Sequence, residues 1–253
     1  LSLALGSNGR SNTNFYSDHY HKIHSFISGT FKQVNTFKID EVEFSISDKL
    51  IQLKSNQLAK KIFRFKNDAT DLNQFNGVRK FGAYTEVSQP VKYAFVFEDK
   101  YKSFANNLFF SLIGKSNPGT FSGMQQFFNL PFANQLVHRV PLTNYSVSEV
   151  KQAIQKVIDF RDANLNFKVI AIVLLPYMFD DLPDIDSPYY NFKFYLTKEN
   201  IPVQVVREDQ TNNANALKWS SSNIALQIFS KLGGTPWKLK PSQTECLILG
   251  IGS

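Results

Sequence analysis

Six residues in the last third of the chain have types and spacing suited to holding a phosphate. Tyr189 and Lys193 stand four residues apart, and Asn223, Gln227 and Lys231 are spaced by four twice. Residues four apart on a helix share a face. Each such step rises ~6 Å, so the second set would trace one stripe ~12 Å long. Gln204 lies between the two sets, inside a short apolar segment. Lysine supplies charge, an amide supplies donors, and tyrosine offers a hydroxyl and a ring on which a base can stack. A polar solvent face on two surface helices has the same spacing, so the pattern alone leaves both readings open.

These residues need elements to position them. Ser187-Pro188 reads as an N-cap with proline at the first helical position, opening a helix to about Lys198. Ile201 to Val206 reads as a strand. Ser220 to Ser222 can cap a helix from Asn223 to Leu232, and Gly233 stands where a helix C-terminus favours glycine. Upstream, Val91 to Phe97 has the make-up of a buried strand and Tyr101 to Ile113 that of a helix. Val150, Ile154, Val157 and Ile158 give Ser148 to Phe160 a helical period. Phe167 to Leu175 is a nearly continuous β-branched run, as in a strand covered on both faces. Strands alternating with helices predict an α/β, Rossmann-like domain with a parallel sheet. Ligands in such sheets bind beyond the carboxyl ends of the strands, here after Pro176 and Arg207.

The first 85 residues read differently. Val42, Phe44 and Ile46 alternate with polar neighbours as in a half-buried strand, and Ile51 and Leu53 extend the pattern. Gly6 to Asn12 reads as loop, and an Asn76-Gly77 turn with Gly82 leads towards Pro90. We read this part as a small β-rich extension or linker. At the other end, Cys246 to Ser253 reads as a core strand in need of sheet partners. That strand, and a start at Leu1, point to a fragment or to one half of a split protein.

Composition narrows the classes. The 253 residues are 43% hydrophobic, enough for a proper core. A single cysteine, Cys246, excludes a disulfide framework within the chain and fits a reducing, cytoplasmic setting. The longest apolar run, Val169 to Pro176, falls short of the ~20 residues that span a membrane, so no membrane partner is expected. Lys and Arg exceed Asp and Glu by 28 to 21, a formal +7. That surplus suits a polyanion, and a solvated basic surface would show it equally.

The order Tyr189-Tyr-Asn-Phe-Lys193, Ile201-Pro-Val-Gln204-Val-Val-Arg207 and Asn223-Ile-Ala-Leu-Gln227-Ile-Phe-Ser-Lys231-Leu-Gly-Gly234-Thr-Pro-Trp237 resembles the MID domain of prokaryotic Argonaute proteins running into their PIWI domain. The match in order and spacing covers about residues 189–252, with a looser similarity back to about residue 75. The resemblance implies an extension over residues 1–85, a MID domain over 86–240 and the first strand of a ribonuclease-H-like PIWI lobe over 241–253. It implies a partner, too: the 5′-phosphorylated end of a guide RNA or DNA, which then pairs with a complementary target in prokaryotic defence. By that likeness Tyr189 stacks on the first base, while Lys193, Gln204 and Lys231 hold the terminal phosphate. Asn223 and Gln227 line the next phosphates, and Gln227 sits where a Mg2+ would bridge them. The stretch from Asp209 to Lys218 would be a loop facing the first base. Gly252 stands where the family has its first catalytic Asp, so this chain is not expected to be an enzyme by itself. A separate chain could supply the rest of PIWI or an effector, making the whole a guided nuclease.

Rival readings concern other residues. A generic Rossmann nucleotide-binding enzyme would need a glycine-rich turn after its first strand, and Glu98-Asp-Lys-Tyr-Lys102 contains no glycine. Asp18, His19, His21 and His24 could ligate a metal, but the stretch shows no evident order and better fits solvent exposure. Asp180, Asp181, Asp184 and Asp186 could bind a cation, yet acidic residues are favoured before a helix N-terminus in any case. His138 beside Arg139 reads as structural, and Cys246 as an inert core thiol.

Overall fold

The computed structural model describes residues 15–29, 36–45, 60–176, 186–211 and 213–240. The chain divides into two compact units, Leu1–Leu58 and Ala59–Ser253. In the first unit, helix α1 (Phe15–Gly29) is followed by an antiparallel hairpin of β1 (Thr36–Ile39) and β2 (Val42–Ser45). The β2 strand agrees with the alternation at Val42 and Phe44, but every residue of the hairpin is exposed rather than half-buried. Phe37 and Phe44, cross-strand partners, stack with ring centroids 5.2 Å apart. Asp18, His19, His21 and His24 lie on α1, so a stretch without evident order in the sequence is helical. Among the described residues no three His, Cys, Asp or Glu come together to hold a metal ion.

The second unit opens with β3 (Phe63–Arg64), β4 (Thr70–Asp71) and α2 (Gln74–Phe81). Here the expected Asn76-Gly77 turn is a helix. The Asn73 side chain caps it by accepting from the Asn76 N–H at 2.9 Å. Within this helix Gly77 makes room for the fully buried Phe65: a Cβ there would stand 2.0 Å from the ring. Phe63, Phe65, Val78 and Ala83 pack in the main core of this unit, which begins at Ala59.

The α/β layout follows. It runs β5 (Val91–Glu98), α3 (Lys102–Leu112), α4 (Met124–Phe128), β6 (Val137–Leu142), α5 (Val147–Asp162), β7 (Lys168–Leu175), α6 (Pro188–Lys198), β8 (Val203–Arg207), α7 (Ala214–Lys231) and β9 (Lys238–Leu239). Four strands form an all-parallel sheet in the order β6-β5-β7-β8. The two-residue period of β5 and β7 sends Tyr93, Phe95, Phe97, Ile170, Ile172 and Leu174 to one face, among α3, α4 and α7. Ala94, Val96, Val169, Ala171, Val173 and Leu175 face α5 and α6. Both faces are covered, as the unbroken apolar run of β7 predicts. β6, an edge strand containing Pro141, has no counterpart among the sequence expectations.

α7 is longer than its sequence reading. Asn213, not a serine near 220, is the N-cap, accepting from the N–H groups of Asn215 and Ala216. Ser220 and Ser221 are interior, each donating its hydroxyl to the carbonyl four residues back. On its buried side Phe229 stacks on Phe128 at 4.6 Å, and Ser221 hydrogen-bonds Ser111 of α3. No described helix is long and apolar enough to cross a membrane.

Candidate functional site

The site lies along β8 and beside the carboxyl end of β7. Phe192 and Leu196, both fully buried, hold α6 against the sheet, while Tyr189 stays 37% exposed and Lys193 half-buried. On α7, Ile224, Ala225, Ile228 and Phe229 are buried, which turns Asn223, Gln227 and Lys231 outward as one stripe. Gly233 (φ 89°) ends that helix in the left-handed region, and Lys168 Nζ donates to the Leu232 carbonyl at 3.1 Å.

A cavity of about 400 Å³ opens between these elements, lined among others by Pro176, Tyr189, Gln204, Arg207, Asn223 and Gln227. Four of the six sequence-selected residues therefore share one wall. Gln204, only 4% exposed, is the hub: its Nε2 donates to Gln227 Oε1 at 2.8 Å, and its Oε1 accepts from Lys231 Nζ at 2.7 Å. Lys231 Nζ also donates to the Val203 carbonyl at 2.6 Å. Neither lysine lines the cavity itself. Lys231 is tied to it through Gln204, and Lys193 through Tyr189, whose ring centroid lies 5.0 Å from Lys193 Nζ.

Electrostatics sharpen the picture. Desolvation, and then the like charge of Lys193, push the Lys231 ammonium down from its ordinary value to about 8. An ammonium penalised in this way gains from an incoming anion. The sign for folding follows: the folded state holds fewer protons at Lys231 than the unfolded chain between about 8 and the ordinary 10.5, so this group adds stability as pH rises through that window.

Sequence reasoning missed some of the lining. Arg207 ends β8, Gln210 lies in the 3-10 turn after it, and Ser220 lies on α7 one turn ahead of Asn223. Arg207 carries the signal of a strand's carboxyl end, whereas Gln210 and Ser220 carry no signal by type. Asp209 to Lys218 is not one loop facing the cavity: Glu208–Gln210 forms a 3-10 turn, and α7 has begun by Ala214. Elsewhere, the carboxyl end of β5 is filled by packing. Tyr145 accepts from the Glu98 N–H and donates to the Leu174 carbonyl, and Glu98, 6% exposed, pairs with Lys100 at 2.7 Å. That leaves no phosphate-cradling loop there. His138 stacks on Phe160 at 4.6 Å, and burial lowers its pKa, in keeping with a structural role. Asp180, Asp181, Asp184, Cys246, Leu247 to Ile251 and Gly252 lie outside the described residues; Asp186 is exposed just ahead of α6.

No family model matches the chain. It is 29% identical over 185 residues to a protein named Piwi protein from Archaeoglobus fulgidus, covering 70% of this chain and 36% of that one. The Argonaute of Clostridium butyricum, solved with a guide DNA (5′ deoxycytidine) and a 19-mer target DNA, shares the fold at a TM-score of 0.59 with 19% identity. The alignment spans 88% of this chain and 30% of that one. The resemblance to prokaryotic Argonautes holds. A second such Argonaute, from Marinitoga piezophila in complex with 5′ OH guide RNA, superposes at a TM-score of 0.50 with 17% identity. It covers 90% of this chain and 33% of that one, so the chain spans about a third of the length of these Argonaute and Piwi relatives.

Proposed function

We propose that this chain is the guide-anchoring, MID-type part of an Argonaute and holds the 5′-phosphorylated end of a single-stranded guide in the cavity beyond β7 and β8. One observation carries the reading: Lys231, Gln204 and Gln227 form a hydrogen-bonded chain beside a second lysine, between α7 and the first residues of β8. The neighbours in fold are complexes with guide strands, one naming a guide DNA and the other a 5′ OH guide RNA. Lys193 and Lys231 supply the charge that a terminal phosphate requires. Tyr189 offers the first base a stacking surface, and Asn223 and Gln227 follow the next phosphates. A complementary target would pair with the anchored strand, and a further part of the protein or a separate chain would act on it.

The test is the affinity of the 253-residue chain for short single strands, RNA and DNA, with and without a 5′-phosphate, at two salt concentrations. A strong preference for the phosphorylated end that survives added salt supports anchoring. Equal affinities that decay together with salt would reduce the site to a generic basic surface.

Two conditions should modulate that affinity. A 5′-phosphate is fully ionised above pH ~7, so any loss at higher pH belongs to the protein. We expect affinity for the phosphorylated strand to hold to about pH 8 and then fall by up to about tenfold per unit as Lys231 loses its proton. Lys231→Arg should flatten the profile; an unchanged decline in that variant would remove Lys231 from the account. The second condition is divalent cation. Gln227 Oε1 is an oxygen ligand of the kind Mg2+ accepts, but no cluster of carboxylates stands with it among the described residues. Mg2+ would then be held chiefly by the guide's phosphates, with Gln227 as a protein ligand. Chelation with EDTA should weaken the phosphorylated strand by about two- to tenfold, and Gln227→Leu should lose that dependence. Affinity indifferent to Mg2+ would remove the cation.

A further inference from the structure

Trp219 is 68% exposed, more than any other aromatic side chain described in the second unit. It belongs to the stripe already described, since Trp219, Asn223 and Gln227 succeed one another at four-residue steps on α7. Its neighbour Ser220 lines the cavity, as does Asn223 one turn further on. Lys218 Nζ lies 5.2 Å from the Trp219 ring centroid, which places a cation beside the indole. The helix rise sets Trp219 ~18 Å from Lys231 along the axis, beyond the reach of a terminal phosphate.

We propose that Trp219 is a second stacking platform, which receives a base downstream of the anchored end and, with Lys218, directs the strand along α7. This deepens the guide-anchoring reading and rests on it. An indole face stacks on any base, so the contact would add affinity without choosing sequence. It would also fix the strand's path away from the pocket, at a distance where the lysines that hold the phosphate exert no directional control.

The test couples protein and strand. In 5′-phosphorylated single strands, an abasic unit replaces the base at each of the first three positions in turn, and each strand is titrated against the native chain, Trp219→Ala and Trp219→Phe. Trp219→Ala should weaken the intact strand about five- to a hundredfold, with Trp219→Phe recovering part of the loss. At one of the three positions the abasic unit should cost the native chain as much, and Trp219→Ala should cost that strand nothing more. Indole fluorescence provides a readout that a merely structural role would not move. Strand binding should quench it in the native chain and not in Trp219→Phe, where Trp237, packed against Phe63 and Phe75, remains as reference. Losses that add at all three positions, or quenching indifferent to Trp219, would overturn the platform while the phosphate preference stood. A chain that bound no phosphorylated strand would overturn both readings together.

Discussion

Lys231→Ala should lower affinity for a 5′-phosphorylated strand roughly ten- to a hundredfold and leave a 5′-hydroxyl strand within about threefold. A hydrogen bond to a charged group contributes about 1.5–3 kcal/mol, and 1.4 kcal/mol is a factor of ten in binding. Lys231 sits at the upper part of that range for two reasons. Its ammonium is already oriented by Gln204 Oε1 and the Val203 carbonyl, so little ordering remains to be done on binding. It is also partly desolvated and close to Lys193, so a phosphate relieves a repulsion as well as forming a contact. Removing it leaves two part-buried acceptors that water can reach through the space the side chain vacates, and the fold should tolerate the change. Competition binding with the paired strands gives the ratio directly. Equal losses for both strands would move the phosphate elsewhere on the surface.

Phe229→Ala should cost the fold about 3–5 kcal/mol, the range for emptying a buried aromatic site. The ring is fully buried, stacked on Phe128, and closed over by the backbone: a Cβ at Gly234 would stand 2.4 Å from it. Neighbours so placed cannot collapse into the cavity without moving the turn that ends α7. Denaturant unfolding should show a lower midpoint with an unchanged slope, and Phe229→Leu should lose much less. A cost under about 1 kcal/mol for the alanine variant would mean that the core repacks freely around this helix.

Much of this layout was legible in the residues themselves. The apolar run at 168–175 could hardly be anything but a strand buried on both faces, and Ser187-Pro188 marked the start of α6 to the residue. Segments whose signal is tertiary escaped. Gly77 looks like a turn residue in a one-dimensional reading, but it sits within a helix, where its missing side chain makes room for the Phe65 ring. Residues 137–142 carry two polar, exposed positions and a proline, which fits an edge strand recognisable mainly by its partner β5. The serines at 220 and 221 resemble caps but satisfy their hydroxyls within the helix. For the site, spacing and residue type together picked out Tyr189, Gln204, Asn223 and Gln227, which converge on one cavity. Spacing could not show that Gln204 joins Lys231 to Gln227, because that link crosses from a strand to a helix 23 residues away in sequence.

The order of the sheet has a dynamic consequence. β5 and β7 are flanked on both sides, whereas among the described strands β8 pairs only with β7. Opening a sheet from its margin breaks one ladder, while freeing a central strand breaks two, so β8 belongs to the portion of the domain that unfastens at lowest free energy. Gln204 and the backbone carbonyl that receives Lys231 both ride on that strand. Capture of a strand would thus act as a clasp, raising the cost of local opening at the one margin of the sheet that the site occupies.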